Sequence, residues 1–331
     1  MTAAAPPLAP ARPALRERAA SLLQRQGALV ALLAVCAFGA ARYAEFAEPG
    51  NLLNVLRQNS MLGLAALGMT FVVLTGGIDL SVGALLAVSG VVAGALSPRG
   101  SLAAAAGGVG AAALLGTANG LLIARARVQP FVATLAMMIA ARGAVLAATR
   151  EQSVPLAPAA EGLAWLGRGE LLGVPVPVVA LLLAYLVGWA VLRATRFGRY
   201  VYAVGDSEDS ARLLGLGVDR VVVATYALSG ALAGAAGLVL AARLGAGQPV
   251  AGTGWELDAV AAVVVGGTLL TGGQGGAGST LVGVLLLGVI FNLFNLEGTI
   301  SPWWQWVLRG AFLLGVVLVQ ARLQRPAATA R

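Results

Sequence analysis

The chain has 331 residues, of which 59% are hydrophobic and 11% charged, against roughly 25% charged in an ordinary soluble domain, so a normal water-facing surface is excluded. It contains no His, no Lys and one Cys, Cys36, which excludes imidazole chemistry, an intrachain disulfide, Cys-based metal sites and a phosphate loop with the Lys such a loop requires. The formal net charge of +8 comes from Arg in loops and tails, as expected of a membrane protein following the positive-inside rule rather than of a nucleic-acid binder.

Residues 1–26, rich in Ala, Pro and Arg, read as a disordered cytoplasmic tail, and 27–321 as a transmembrane permease-like domain ending in a short cytoplasmic tail, 322–331. Apolar runs at 28–46, 58–75, 81–97, 101–124, 129–149, 175–193, 221–242, 257–271, 277–295 and 303–320 approach the ~20 residues that a helix needs to cross a hydrocarbon core of about 30 Å. The predicted fold class is all-α: a polytopic membrane protein of about ten transmembrane helices. Segments 1–26, 125–127, 193–220 and 322–331 hold fourteen of the 22 Arg; the opposite side holds six (Arg42, Arg57, Arg99, Arg150, Arg168 and Arg243), with Arg142 and Arg309 inside spans. That bias puts both termini in the cytoplasm.

The second and third runs are joined by LTGGIDLSVG at 74–83. Asp79 falls at an inner-face junction by this parity. It reads as an N-cap for the span starting at Ser81, or as part of a gate or hinge with Gly76, Gly77, Ser81 and Gly83, since a carboxylate in hydrocarbon is seldom idle. The flanking pair is a candidate for broken or re-entrant helices. Gly90-xxx-Gly94, Gly116-xxx-Gly120 and Gly230-xxx-Gly234 suit close helix contacts, by default within one subunit. Polar residues inside spans, Asn119, Thr134, Arg142, Asn292, Asn295 and Gln305, are candidates for a solute pathway or for interhelical hydrogen bonds. The outer loop 150–174 reads as an amphipathic external segment.

The cytoplasmic loop 194–220 carries GDSEDSARLLGLG. Asp206 or Ser207 caps a helix there, Glu208 and Asp209 sit where the helix dipole favours acids, Ala211 and Arg212 follow, and Gly215 or Gly217 ends it. Glu256 and Asp258 are expected at the outer mouth of the eighth span. GQGGAG at 273–278 fits a dinucleotide fingerprint in letters but follows an apolar span instead of a strand, so it reads as a tight turn. LTGG occurs at both 74–77 and 270–273, a hint of duplicated halves or a coincidence in a Gly-rich chain.

Several stretches taken together, in order from about residue 50 to 320, resemble one family. TGGIDLSVG, VQPFVATLAMMIAARG at 128–143, GRYVYAVGDSEDSARLLGLGV, Leu238–Pro249 and AGTGWELDAVAAVVVGGTLLTGGQG at 251–275 are similar to the permease subunits of ribose-type sugar ABC importers. The resemblance implies a coupling helix at Glu208 to Gly215 that docks on a separate ABC ATPase, although Asp209 and Ser210 stand where relatives typically have small residues. It also implies a periplasmic or lipid-anchored sugar-binding protein at the outer mouth and a second permease copy, identical or related. No cofactor, no metal and no nucleic acid are expected, and no catalysis in this chain. The alternative is an ion-coupled secondary transporter, which needs intramembrane carboxylates of which Asp79 is essentially the lone example.

Overall fold

The computed structural model describes residues 15–298 and scattered positions between 301 and 315. The expected span at 303–320, Gln305 and the C-terminal tail fall wholly or largely outside the described residues. Twelve helices are described: α1 (Leu15–Arg42), α2 (Pro49–Leu74), α3 (Val82–Leu96), α4 (Ser101–Ala124), α5 (Pro130–Thr149), α6 (Glu161–Arg168), α7 (Val176–Ala194), α8 (Arg196–Asp206), α9 (Glu208–Leu213), α10 (Val218–Leu244), α11 (Trp255–Val265) and α12 (Ala277–Glu297). The backbone of α1 is non-helical at Gln26, next to the expected start of the membrane domain. Six stretches (Val82–Arg99, Ser101–Ala124, Pro130–Thr149, Val176–Ala194, Val218–Leu244 and Ala277–Glu297) are long and apolar enough to cross a membrane. By this criterion the described residues supply six spans, against about ten expected.

Helix α10 is the axis of the bundle, packed on α2, α3 and α4. Small residues permit this. A Cβ at Gly116 would stand 2.4 Å from the Tyr226 carbonyl oxygen, and one at Gly230 2.5 Å from that of Ala112, so α4 and α10 touch backbone to backbone. Gly90 lies against Gly237 and Ala241 of α10, and it and Gly94 also meet Gly247 and Val154 respectively. Those two residues belong to two-residue antiparallel pairs, β1 (Val154–Pro155) with β4 (Ala246–Gly247). A second pair, β2 (Glu170–Leu171) with β3 (Val174–Pro175), closes the loop carrying α6, whose Leu163 and Gly167 are buried.

Two helices are short, and they organise the site. At 15 residues α3 is much shorter than the 24-residue α4 that follows it, a deficit of about 13 Å at 1.5 Å per residue. The missing length is supplied by residues 75–81, which leave the end of α2 and run back into the bundle without regular structure. Helix α11 has 11 residues and is approached from the other side by 248–254. That segment descends along α3: Gly247 lies against Gly90, and Gly252 against Gly83, seven residues or about 10 Å lower. The N-termini of α3 and α11 therefore meet inside the bundle. The broken geometry was foreseen for the first of these segments; the span expected at 257–271 is corrected to the short helix Trp255–Val265.

The helix ends preceding the breaks are alike. Gly76 (φ 78°) and Gly267 (φ 102°) each take the left-handed conformation. Gly77 N–H bonds the Val72 carbonyl and Thr268 N–H that of Val263, the 6→1 bond of a Schellman end. The equivalent hexapeptides are thus 72–77 and 263–268. The two LTGG copies are not structural equivalents; they pack against each other, with Gly273 N–H donating to the Leu74 carbonyl at 3.0 Å.

Candidate functional site

Asp79 sits at the N-terminal end of α3, fully buried. One carboxylate oxygen accepts the Ser81 backbone N–H at 3.0 Å and the Ser81 hydroxyl; the other accepts the Ser229 hydroxyl from α10 at 2.8 Å. The bond two residues on closes an Asx-type turn just ahead of α3, whose N-cap is Ser81 and not Asp79, and it satisfies a donor for which a bilayer interior offers no water. From α4, the Asn119 amide donates to the Ser81 hydroxyl at 2.9 Å, while its buried Oδ1 has no hydrogen-bond partner among the described residues. The Ile78 carbonyl, one residue earlier, receives Tyr226 Oη at 3.2 Å and Thr134 Oγ1 at 3.3 Å. Four helices, α3, α4, α5 and α10, thus converge on Ile78–Ser81.

The depth of Asp79 differs from expectation. Ser229 lies eleven residues into α10, about 16 Å along its axis, and Asn119 lies five residues before the end of α4. The carboxylate stands inside the bundle and not at a face, because 75–81 re-enters instead of turning. Around it there is no room: a Cβ at Gly77 would be 2.5 Å from Tyr226 Oη, and one at Gly83 would be 2.2 Å from the Gly252 oxygen and 2.5 Å from a Glu256 carboxylate oxygen. Glu256 therefore lies beside the start of α3. Its Oε1 accepts the Gly254 N–H at 3.2 Å, in the first turn of α11 along with Asp258.

The other candidate pathway residues divide. Asn292 is bonded reciprocally to Asn51, at 2.8 and 3.1 Å, an interhelical amide pair between α12 and α2. Arg142 Nη1 donates to the carbonyls of Pro249 and Ala251, both at 2.7 Å, which supplies the partner its half-buried guanidinium requires. Asn295 also interacts within the fold. Among the described residues no group of three or more His, Cys, Asp or Glu could hold a metal ion.

At the α2 end of this assembly lie α8 and α9. Thr195 caps α8 by accepting the Gly198 N–H at 3.1 Å. Gly198, Val201 and Val204 are buried along one face, and Phe197 stacks on Phe71 of α2 with ring centroids 6.3 Å apart. Gly205 is pressed so closely that a Cβ there would fall 1.8 Å from the Leu74 oxygen and 2.5 Å from Gly273 N, so α8 is seated on the junction of the two LTGG turns. Tyr202 Oη adds a 2.9 Å bond to the Gly275 carbonyl.

Ser207 separates the two helices and caps α9, accepting the Ser210 N–H at 3.2 Å. Leu216 N–H to the Ala211 carbonyl and Gly215 N–H to that of Arg212, both 3.0 Å, end it, with Gly215 at φ 77°; Gly215 is the terminator read from sequence. Asp206 is the last residue of α8 and not the cap. Arg212 bridges Asp219 at 2.7 Å and Glu208 at 2.8 Å, and Arg127 reaches Glu208 at 3.4 Å, so α9 is tied to α10 and to the α4–α5 turn. The Asp219 and Glu208 carboxylates hold the Arg212 guanidinium above the ordinary arginine value. Each exposed pair contributes little alone, about 0–1 kcal/mol. Ala211 is buried beneath α9, whereas Glu208, Asp209 and Ser210 are exposed and Leu213 and Leu214 are 89% and 79% exposed.

Two features escaped the sequence reading: α8, whose mixed polarity reads as loop, and the exposure of Leu213 and Leu214. Solvent-facing leucines beside acids give α9 a small exposed apolar patch with a charged rim.

Residues 51–317 match the family described as Branched-chain amino acid transport system / permease component. The chain belongs to that family. This permease is 42% identical to the ribose import permease protein RbsC of Escherichia coli over 306 residues, covering 91% of this chain and 95% of the relative. It is 42% identical to RbsC of Bacillus subtilis, over 91% and 94% of the two chains, and 35% identical to the L-arabinose ABC transporter permease protein AraH of Azospirillum brasilense, over 94% and 91%. No solved structure matches the permease.

Proposed function

We propose that the chain is the membrane-spanning subunit of an ATP-binding-cassette importer that carries a monosaccharide, a ribose-type pentose or similar sugar, across the bacterial inner membrane. Power comes from a separate ATPase docked at α9 on the cytoplasmic face, and substrate from a sugar-binding protein on the opposite face. The pore is completed by a second permease copy, with about ten spans per subunit and both termini in the cytoplasm.

The observation that carries this reading is the α8–α9 pair. It presents Leu213, Leu214 and acids outward while Gly205 bears on the Leu74–Gly273 contact. A displacement of α9 is passed by α8 to the end of α2, hence to 75–81 and the Asp79 turn. Helices packed backbone on backbone shift between discrete arrangements instead of deforming gradually. The sugars named for the relatives support the substrate class.

The test is reconstitution in proteoliposomes with the ATPase and binding protein. Uptake of labelled pentose requiring ATP on the ATPase side and all three components is expected. Uptake by the chain alone, or driven by an ion gradient without ATP, overturns the reading in favour of a secondary transporter.

A further inference from the structure

We propose that Arg142 is a positioning residue for transport, a latch on α5 that holds the re-entrant segment 248–254 in place and so sets where the N-termini of α3 and α11 meet. A single nitrogen of the guanidinium, Nη1, delivers both of its hydrogens, one to the Pro249 carbonyl and one to that of Ala251, each at 2.7 Å. The segment it grips has no regular secondary structure between Gly247 and Trp255, so its carbonyls lack the partners that a helix or a strand would supply and take a side-chain donor instead.

Helix α5 grips the other break as well. Thr134 Oγ1, which bonds the Pro130 carbonyl of its own helix at 2.9 Å, also reaches the Ile78 carbonyl at 3.3 Å, and positions 134, 138 and 142 share one helix face at i, i+4 and i+8. One helix thus binds, through side chains about 12 Å apart along its axis, a backbone carbonyl of each segment that breaks into the bundle from opposite ends. Moving α5 relative to α3 loosens both short helices together, a geometry suited to alternating access, and the inference rests to that extent on the transport reading.

The test compares Arg142→Met, which keeps the bulk and removes both donors, with Arg142→Lys, whose ammonium also offers several hydrogens from one nitrogen. Hydrogen exchange of amides 250–254 is measured on the full chain in lipid nanodiscs, and uptake on the reconstituted importer. Arg142→Met is expected to raise exchange of the segment about tenfold or more and to lower maximal uptake by a similar factor, leaving half-saturation, set by the binding protein, unchanged. Arg142→Lys should recover most of both. If the Met variant does not accumulate, Arg142→Gln, too short to reach either carbonyl, takes its place with the same expectation. Unchanged exchange overturns the latch whatever uptake does, and faster exchange with wild-type uptake overturns its role in transport. Should the wild-type importer show no ATP-driven uptake, the transport reading fails while the exchange measurement still decides whether Arg142 holds the segment.

Discussion

Gly205→Ala introduces a single methyl group where α8 bears on the end of α2. Its carbon would stand 1.8 Å from the Leu74 carbonyl oxygen and 2.5 Å from Gly273 N, and both obstacles are backbone. No rotamer relieves this. The helix must retreat by more than about 1 Å to reach even a tight contact, a strain of about 1–3 kcal/mol for overpacking. The retreat also threatens the 3.0 Å bond from Gly273 to Leu74, worth about 1 kcal/mol. Because the lesion lies between the docking helix and the Asp79 break, the variant is expected to insert and to bind the ATPase while ATP-dependent uptake falls by tenfold or more. The assays are co-purification of the ATPase, its ATP hydrolysis, and uptake in proteoliposomes. Wild-type uptake by Gly205→Ala would refute the claim that α8 transmits the stroke. As a control, Gly217→Ala adds a methyl group with only ordinary contacts to Arg220 and should leave uptake intact.

Asp79→Ala strands three donors, the Ser81 N–H, the Ser81 hydroxyl and the Ser229 hydroxyl, at about 1–3 kcal/mol for each buried group left unpaired. Uptake should fall to background with membrane insertion retained, and Asp79→Asn, which keeps one acceptor oxygen, should fall between; normal uptake by the Ala variant removes the gating role. Leu213→Ser with Leu214→Ser alters side chains that are 89% and 79% exposed, so stability of the free chain should change by less than about 0.5 kcal/mol while ATPase co-purification drops at least tenfold. Gly116→Leu, with no space against Tyr226 and Gly230, is expected to prevent accumulation of folded protein, measured as monodisperse material in detergent; accumulation at the wild-type level would contradict the α4–α10 contact.

What could be read from the sequence depended on whether the signal lay in side chains. The break at Asp79 announced itself by a carboxylate and glycines between apolar runs. The α9 helix did so by Ser207, by Glu208 and Asp209 in the first turn, and by Gly215 at the end. The early end of α11 was missed because its apolar run continues past Val265; hydropathy measures greasiness and not where a helix stops. Placing Asp79 at a face followed from the same habit of treating every interruption as a surface turn. Arg142 clearly needed a partner, but backbone carbonyls leave no mark in a sequence, so Pro249 and Ala251 could not be named. Helix α8 hid because Arg196, Arg199 and Tyr200 alternate with Phe197, Val201 and Val204, and the face that packs is visible only once α2 lies beneath it.

Thiol crosslinking from α9 probes the central claim most directly. With Cys36→Ser and Leu213→Cys, a short bifunctional reagent should join the chain to its ATPase in inverted membrane vesicles, with residue 213 protected from impermeant maleimide when the ATPase is bound. Labelling of that cysteine from the outside of intact cells, or full ATP-driven uptake without any contact between residue 213 and the ATPase, would contradict it.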